Sequence, residues 1–288
     1  MTVLSILGAG KIGGEVAFLS AATGIAGEIH LFDINKPLLE AQRLDLLHTG
    51  LDISIDTDPE NIRNSDIILF AAGMARNPQI KTRADLLDVN IRVASECMKC
   101  INSFDGVFIA VTNPMDALNY YFCTKGGIER EKCIGFGGQL DTARLHLFLK
   151  EKGIAPDNTA QALGEHGEFQ VPVFSGLKEE VPTDLREEIL SMMRGASMPV
   201  IKGKGGTVFG PAQNIVDLIR IISQDLRETV PCSCALDGEY GISSCSMGVP
   251  AVIGREGILR IEETDLDEWE MNKMNEAAEH LKTLCGRF

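Results

Sequence analysis

The sequence lacks any apolar run that approaches the ~20 residues required for a transmembrane helix. It also lacks a signal-like segment at its start, because the chain opens directly on the strand-like run TVLSIL. Internal repeats, low-complexity tracts and flexible linkers are missing as well. We therefore expect a cytoplasmic protein with no membrane partner, whose 288 residues form one large or two closely joined α/β domains.

The cysteine pattern lacks the paired spacing of a zinc site. Cys97 and Cys100 form a single CxxC within a predicted helix, without a second CxxC or a histidine pair to complete a ligand set. The eight cysteines are therefore expected to be packing thiols in a reducing compartment. No metal site is predicted.

Basic residues are scarce relative to acidic ones. The 27 Lys and Arg against 41 Asp and Glu give a net charge of −14. Nucleic acids and anionic membrane surfaces would repel such a chain, so neither is an expected partner. Binding of an anionic substrate would then have to rely on a local cluster of arginines.

The first 33 residues carry the strongest pattern that is present. Thr2–Leu7 is predicted to be a buried strand, residues 14–23 a helix, and residues 28–32 a second strand. The turn between the first strand and the helix reads GAGKIG, and Asp33 follows its last glycine by 20 residues. This is the context that a dinucleotide-binding fingerprint requires, although a glycine-rich turn beside a surface acid is the simpler alternative.

Each glycine of that turn has a distinct expected role. Gly8 permits a tight turn, Gly10 lets backbone amides approach a pyrophosphate, and Gly13 lets the helix pack close to the strand. The start of the helix offers unpaired N–H groups to phosphates. Asp33 can accept bonds from both ribose hydroxyls and would repel a 2′-phosphate, which favours NAD over NADP.

A weak strand is predicted at residues 51–56, and three further buried strands are predicted at residues 66–71, 106–111 and 132–136, separated by helices. This alternation predicts a Rossmann doubly wound parallel sheet of the α/β class. Ligands bind such sheets at the carboxyl ends of the strands. Asn113 lies at one of these ends, where its amide can reach a ligand, although it could equally be an ordinary helix cap.

A cationic loop follows the strand at 66–71. It contains Arg76, Lys81 and Arg83 in a chain that is otherwise acidic, and a long helix is predicted after it at residues 84–104. The loop is predicted to be a lid over an anionic substrate, although these could also be solvated charges. Asp141 and Arg144 lie on one face of the next helix, at 139–152, either as an ion pair or as part of the site.

The pattern changes after about residue 140. A pair of strands around residues 158–164 and 170–174 brackets His166, the one histidine of the five that lies in a loop-like turn. A helix at 183–195, a glycine-rich segment at 202–206, a helix at 211–227, three strands and a closing helix with a Thr264–Asp267 capping box follow. We expect an NAD-binding domain at 1–140 and an α+β domain that carries catalysis and substrate binding at 141–288.

Several motifs occur together in order: GAGKIGG with Asp33, AAGMARNP with TRADLLDVN, VTNPMD, GFGGQLDTARL and GEHG. In this order and spacing the whole chain resembles the lactate/malate dehydrogenase family. The resemblance implies hydride transfer between NAD and a 2-hydroxy acid. His166 would be the acid/base and Asp141 its carboxylate partner. Arg144 would hold the C1 carboxylate, Arg83 would polarise the carbonyl, and Asn113 would bond the reacting oxygen.

Two more sets of positions follow from the resemblance. Thr207 corresponds to a small hydroxyl residue that lines the substrate pocket. The cofactor is expected to contact the glycine-rich turn, the ribose-binding acid and the ends of the strands, which together are Gly8, Gly10, Lys11, Ile12, Gly13, Asp33, Ala72, Gly73, Asn90, Val111 and Asn113.

Arg76 determines the expected substrate. Lactate members of the family carry a neutral Gln at this position, whereas malate members carry Arg. A second guanidinium would pair with the distal carboxylate of oxaloacetate and would stay unpaired, at high cost, with pyruvate. The prediction is therefore malate dehydrogenase, although the interval from Arg76 to Arg83 is one residue longer than malate members commonly have.

Three alternatives remain. A lactate or broader 2-hydroxy-acid dehydrogenase would turn over a monocarboxylate at a comparable rate. The NAD-dependent glycosidases share a related fold but need a metal with its Cys and His ligands. A non-catalytic NAD-binding sensor would have no reason to keep His166, Asp141 and three arginines. The resemblance also implies a homodimer or homotetramer.

Overall fold

The computed structural model describes residues 2–74, 83–101 and 103–288, with the backbone alone at residues 83 and 84. The strands are β1 (Thr2–Leu7), β2 (Ala26–Phe32), β3 (Ser54–Asp56), β4 (Ile67–Phe70), β5 (Val107–Ala110), β6 (Cys133–Gly135), β7 (Ala162–Gly164), β8 (Gln170–Pro172), β9 (Glu228–Asp237), β10 (Ser243–Gly254) and β11 (Gly257–Ile261). The helices are α1 (Lys11–Ala22), α2 (Lys36–His48), α3 (Arg83–Met98), α4 (Met115–Thr124), α5 (Gly138–Glu151), α6 (Thr183–Gly195), α7 (Ser197–Lys204), α8 (Phe209–Ser223) and α9 (Glu268–Cys285).

The first six strands confirm the Rossmann prediction. All six strands are parallel, in the order β3-β2-β1-β4-β5-β6. From β1 the chain first adds strands on one side of the sheet, β2 and β3, and then on the other side, beginning with β4. A crevice forms outside the carboxyl ends of the strands at such a reversal. The turn after β1, the segment after β4 and the segment after β5 all begin at this edge.

The second half of the chain extends the same sheet. Gly135 of β6 pairs with Ser233 of β9 in antiparallel fashion, and the order continues as β9-β10-β7-β8, with β11 on β10. The sheet therefore continues across the domain boundary expected between residues 140 and 141. That boundary stays a prediction. Among the described residues, no helix is both long and apolar enough to cross a membrane.

The core explains why the central strands are continuously apolar. All residues of β4 and β5 are buried, because helices cover both faces of the parallel sheet. Phe122 of α4 packs against Phe70 and Phe108, with ring centroids 4.9 and 4.6 Å away. A smaller cluster under α5 and α6 includes Leu145 and Phe174. Together these clusters hold the strand ends, and hence the crevice, in a rigid frame.

Several helix boundaries differ from the prediction, among them the start of α1, which is Lys11 and not residue 14. The helix predicted at 84–104 ends at Met98. The helix predicted at 211–227 is α8, which begins at Phe209 and ends at Ser223, before the positive-φ residues Asp225 and Arg227. Such backbone conformations cannot continue a right-handed helix, so the chain turns there into β9.

The predicted capping box at Thr264–Asp267 was wrong. Asp267 is the N-cap of α9: its side chain accepts a bond from the Glu270 backbone N–H, and the Glu270 side chain accepts one from Asp267. In the predicted box, Asp267 would be the N3 residue, and its side chain is shorter than that of the Glu that usually reaches back to the N-cap N–H. Glu270 is also held by the backbone N–H groups of Phe174 and Ser175, contacts that lie far away in sequence.

Helix α7 has no counterpart in the sequence prediction. It runs through the start of the glycine-rich segment, includes Gly203, and ends at Lys204. Gly205 follows as the C-cap, with a left-handed φ of 76°. The glycine-rich segment at 202–206 therefore contains the end of a helix and is not a loop over its whole length.

Candidate active site

The turn between β1 and α1 is dictated in part by the packing of the protein. Gly8 has a φ of 101°, and a Cβ added there would lie 2.5 Å from the backbone nitrogen of Ala72. A Cβ added at Gly13 would lie 2.0 Å from the carbonyl oxygen of Gly8. Both positions therefore exclude larger residues, the first for its turn and the second for the close approach of helix and strand.

Gly10 differs, because no atom of the protein lies within 4 Å of a Cβ added there. It is the N-cap of α1 and provides no side-chain cap, so no side-chain acceptor at this position competes for the N–H groups of the first turn at Lys11 and Ile12. A side chain at Gly10 would fill space that the protein leaves open at a helix N-terminus. The residues thus fit the pyrophosphate of a dinucleotide.

Asp33 stands at the carboxyl end of β2, beside this turn. Its Oδ2 accepts a hydrogen bond of 2.9 Å from the Ala9 N–H, and its Oδ1 accepts one of 2.8 Å from the Asn35 N–H. These bonds orient the half-buried carboxylate, and each oxygen keeps a further lone pair. The orientation suits the acceptor of ribose hydroxyls that the sequence predicted.

Asn90 of α3 joins the segments that follow β4 and β5. Its Oδ1 accepts from the Met74 N–H at 2.7 Å, and its Nδ2 donates to the carbonyl oxygens of Met74 at 3.1 Å and Asn113 at 2.7 Å. The side chain is fully buried, so its polar atoms serve the protein, and it would act on a cofactor through the backbone it holds. Nearby, a Cβ on Gly73 would lie 2.4 Å from Thr112 Cγ2.

Asn113 is exposed at the end of β5. Pro114, not Asn113, is the N-cap of α4, and the Asn113 Oδ1 lies 3.4 Å from the Met115 nitrogen, which is a weak contact. The alternative role as a helix cap therefore has little support. Ala72 and Val111 are half-buried at the same ends.

His166, Asp141 and Arg144 form one hydrogen-bonded group. The Nδ1 of His166 lies 2.6 Å from Asp141 Oδ2, and Arg144 donates to Asp141 Oδ1 at 3.0 Å. Asp141 is almost completely buried, whereas the side chains of His166 and Arg144 keep 18% of their surface exposed. With Nδ1 engaged, Nε2 is the ring atom left for a ligand. Such a pair fits general acid–base chemistry.

The charges of this group move two pKa values in opposite directions. Burial lowers the pKa of His166, but the negative charge and hydrogen bond of Asp141 outweigh it, so that this pKa lies above its usual value. Burial raises the pKa of Asp141, but His166 and then Arg144 hold it below the usual value of a carboxyl group. The pair therefore favours a carboxylate beside an imidazolium.

The turn around His166 depends on residues that sequence reasoning did not single out. A Cβ added at Gly137 would lie 2.6 Å from His166 Cγ, so only glycine allows the ring to lie there. The buried Glu165 accepts bonds from the N–H groups of Glu168 and Phe169, both at 3.0 Å, which shapes the turn. The Gly137-Gly138 pair was the signal in the sequence.

Asp116 is a second contact that sequence reasoning missed. It lies in the first turn of α4 and accepts a hydrogen bond of 2.8 Å from the backbone N–H of His166. Its place in the VTNPMD motif was visible, but its partner is 50 residues away. Only the tertiary structure shows that the two meet.

Three expected substrate residues are placed less closely. Arg76 lies outside the described residues, and Arg83 is the first residue of α3, where the backbone alone is described. Thr207 is half-buried between α7 and α8. The Nζ of Lys11 donates to the Gly205 carbonyl oxygen at 3.3 Å, which brings the segment before Thr207 next to the glycine-rich turn. Their roles stay predictions.

Within residues 2–74, 83–101 and 103–288, no three metal-ligating side chains lie together in a group that could hold a metal ion. The cysteines are all free, and Cys133, Cys232, Cys234, Cys245 and Cys285 are buried. The described chain therefore offers no ligand set for the metal that the glycosidase alternative needs.

Comparisons with known proteins identify the family of the chain. Residues 2–135 match the model of the lactate/malate dehydrogenase NAD binding domain, and residues 138–285 match that of the lactate/malate dehydrogenase alpha/beta C-terminal domain. A malate dehydrogenase of Natronomonas pharaonis is 35% identical, over 98% of this chain and 97% of its own. An L-lactate dehydrogenase of a Geobacillus species is 32% identical, over 100% and 97%. The solved malate dehydrogenase of Archaeoglobus fulgidus with NADH superposes with a TM-score of 0.90 at 32% identity, covering 99% of both chains.

Proposed function

Because the chain belongs to the lactate/malate dehydrogenase family, we propose that it is a malate dehydrogenase that interconverts malate and oxaloacetate. The family prediction is confirmed: the protein is an NAD-dependent oxidoreductase, and NAD is its cofactor. The choice of malate and the role of each site residue are our proposal. The observation that carries the proposed acid–base chemistry is the His166–Asp141 pair at 2.6 Å, with Arg144 on the same carboxylate. The choice of malate rests on the residue type at Arg76.

Proton transfer is the proposed task of His166. NAD, when bound, supplies the acceptor and donor of the hydride at the crevice. In malate oxidation, Nε2 takes the proton of the substrate hydroxyl, which requires a neutral imidazole. In oxaloacetate reduction, the imidazolium returns that proton. Asp141 holds the ring through Nδ1 and stabilises the charged form.

Arginines and Asn113 are proposed to place and polarise the substrate. Arg144 would grip the C1 carboxylate with nitrogens that Asp141 leaves free, since a guanidinium has five N–H donors. Arg83 would bring positive charge to the carbonyl oxygen, and the Asn113 amide would donate to the same oxygen. Arg76 would pair with the distal carboxylate, and Thr207 would line the pocket.

A lactate or broader 2-hydroxy-acid dehydrogenase is the second candidate. The 32% identity with an L-lactate dehydrogenase is close to the identity with malate dehydrogenases, so overall similarity does not separate the two. The residue type at Arg76 favours the dicarboxylate. A cytoplasmic location and a homodimer or homotetramer remain part of the proposal, and the half-exposed Phe18, Leu44 and Leu47 on α1 and α2 support self-association.

NADH consumption with oxaloacetate and, separately, pyruvate tests the proposal. We expect kcat/KM to favour oxaloacetate by roughly a thousandfold or more, since pyruvate would leave a guanidinium unpaired in a closed site. Arg76→Gln should reduce that preference by lowering the oxaloacetate value far more than the pyruvate value. Lys81→Gln, in the same cationic loop, is the matched control. Comparable wild-type rates with the two acids would contradict the malate assignment and indicate a broader 2-hydroxy-acid dehydrogenase.

A further inference from the structure

Asp116 connects the two halves of the site. It is the second residue of α4, three residues after Asn113, and only 2% of its surface is exposed. Its Oδ2 accepts the His166 backbone N–H at 2.8 Å. One short segment thus carries Asn113, which is proposed to bond the reacting oxygen, and the carboxylate that holds His166, which is proposed to protonate that oxygen.

Burying a carboxylate to make this contact has a high free-energy cost. An amide oxygen could accept the same N–H, whereas a buried charge costs several kcal/mol unless it is fully paired. Among the described residues, the second oxygen of Asp116, Oδ1, is buried and makes no hydrogen bond of ordinary geometry, although the Ser233 hydroxyl acts on this carboxylate from β9. A buried polar group that is only partly satisfied calls for a reason beyond stability.

The charged groups that face Asp116 come from several elements. Burial and the charge of Glu165 raise its pKa to about 6, whereas the Ser233 hydroxyl on β9 and His166 act to lower it. Cys245 on β10 and Cys285 on α9 also lie near, and burial raises the pKa of both thiols, so they are neutral. Asp116 is therefore a carboxylate at neutral pH.

His166 consequently lies between two carboxylates. Asp141 of α5 bonds the ring nitrogen, and Asp116 of α4 bonds the backbone nitrogen of the same residue. Both negative charges favour the imidazolium, whereas burial and Arg144 oppose it. The first contact sets the direction of the ring, and the second sets the position of the residue that carries it.

We propose that Asp116 is a positioning residue for hydride transfer, which fixes His166 against Asn113 and places a second negative charge behind the imidazole. This inference rests on the proposed function, because it assumes that His166 and Asn113 meet the same substrate oxygen. Displacement of a catalytic group by about 1 Å can lower the rate by roughly 10²-fold, so such a tie matters to the chemistry.

Two substitutions separate the bond from the charge. Asp116→Asn keeps an oxygen that can accept the His166 N–H but removes the charge, and Asp116→Ala removes both. We expect Asp116→Asn to lower the apparent pKa of His166 by roughly 0.5–1 unit, since it removes a nearby opposite charge. We expect Asp116→Ala to lower kcat by a further ~10–100-fold with little change in the KM for NADH.

The measurements are kcat/KM against pH for oxaloacetate reduction and the NMR titration of ¹³C-labelled histidines in the full-length protein. His166→Asn assigns the His166 signal among the five histidines. Glu270→Gln is the matched control, because Glu270 is equally buried and accepts N–H bonds from Phe174 and Ser175, not from the site. It should lower the melting temperature and leave the pH profile and the titration of His166 unchanged.

An unshifted His166 titration in Asp116→Asn, together with a melting temperature lowered as in Glu270→Gln, would reduce Asp116 to a structural residue and overturn the inference. If Asp116→Ala fails to fold, the titration of Asp116→Asn decides. A wild-type protein that reduces neither oxaloacetate nor pyruvate would reject the proposed function instead. The titration would still show whether Asp116 acts on the imidazole.

Discussion

His166 is the residue on which the proposed chemistry depends, and its surroundings explain why an imidazole can act there. Its side chain is partly exposed, while Asp141, which lies 2.6 Å from its Nδ1, is almost completely buried. A buried carboxylate next to a half-buried imidazole strengthens the charged hydrogen bond between them, because little water competes for it. The group can therefore take up and release a proton, with a pKa above the usual value of a histidine.

Replacing His166 by Asn should remove the proton acceptor while leaving the cofactor turn unchanged. We expect turnover to fall by roughly 10²–10⁴-fold with NADH binding nearly intact, as loss of a general acid–base does. His146→Asn is the control, because His146 lies on α5 and its Nε2 bonds the Ala160 carbonyl oxygen. Steady-state rates and NADH fluorescence titration measure the two effects. Substantial activity in His166→Asn would remove this residue from the acid/base role.

The pH dependence follows from the direction of the His166 pKa. Because that pKa is raised, the imidazolium persists to higher pH than in a free histidine. Oxaloacetate reduction, which needs the imidazolium, should be lost as pH rises through the raised pKa, and malate oxidation should be lost as pH falls through it. Asp141→Asn should move both limbs to lower pH. Profiles of kcat/KM in both directions test this, and unmoved limbs would mean that another group titrates.

At the scale of elements, helix starts show how local patterns and tertiary contacts combine. Thr264 and Asp267 fit the spacing of a capping box, yet α9 begins one turn later with Asp267 as its cap. Asp267 also pairs with Arg186 of α6, which selects this start over the earlier one. A contact from another helix thus decided between two starts that the local sequence allows.

Asp267→Ala should destabilise the protein by about 1–2 kcal/mol, because it removes an N-cap together with an ion pair. Thr264→Ala should cost much less, since Thr264 is exposed and does not cap the helix. Urea denaturation of both variants measures the free energy of unfolding. Equal losses of unfolding free energy in the two variants would mean that Thr264 also caps the helix, as the sequence predicted. The activity per folded molecule should be the same in both variants.

At the scale of the whole molecule, one sheet runs through both halves. The pairing of Gly135 with Ser233 connects β6 to β9, and the larger of the two buried clusters contains residues of both halves, from Leu4 to Cys285. Two parts that share a sheet and a core should unfold together. The crevice for NAD and the His166 turn are therefore expected to be thermodynamically coupled.

Trp269 offers a test of that coupling. This single Trp of the chain packs near Phe174 in the second half, with ring centroids 6.0 Å apart. NAD⁺ at ~100 times its Kd should stabilise the fold by about 2.7 kcal/mol. The urea midpoint from Trp269 fluorescence should rise together with that from far-UV circular dichroism. NADP⁺ at the same concentration should raise it less, because Asp33 repels a 2′-phosphate. A rise seen by circular dichroism alone would mean that the halves unfold separately.

The sequence by itself determined the features that depend on the local backbone. The turn at Gly8, the close packing at Gly13 and the acid at Asp33 follow from spacing, because conformational and steric limits act over a few residues. The strands of the parallel sheet were predictable for a similar reason, since burial on both faces requires continuous apolar runs. His166 could be selected because it is the histidine in a loop-like turn.

Tertiary structure alone decided which polar groups meet. Asp141 and His166 are 25 residues apart, and Asp116 and His166 are 50 apart, yet both pairs are hydrogen-bonded. Asn90, predicted to contact the cofactor, has its polar atoms engaged by Met74 and Asn113. Such contacts depend on how helices pack on the sheet, and the free energy of that packing is spread over the whole core. A local pattern therefore cannot specify them.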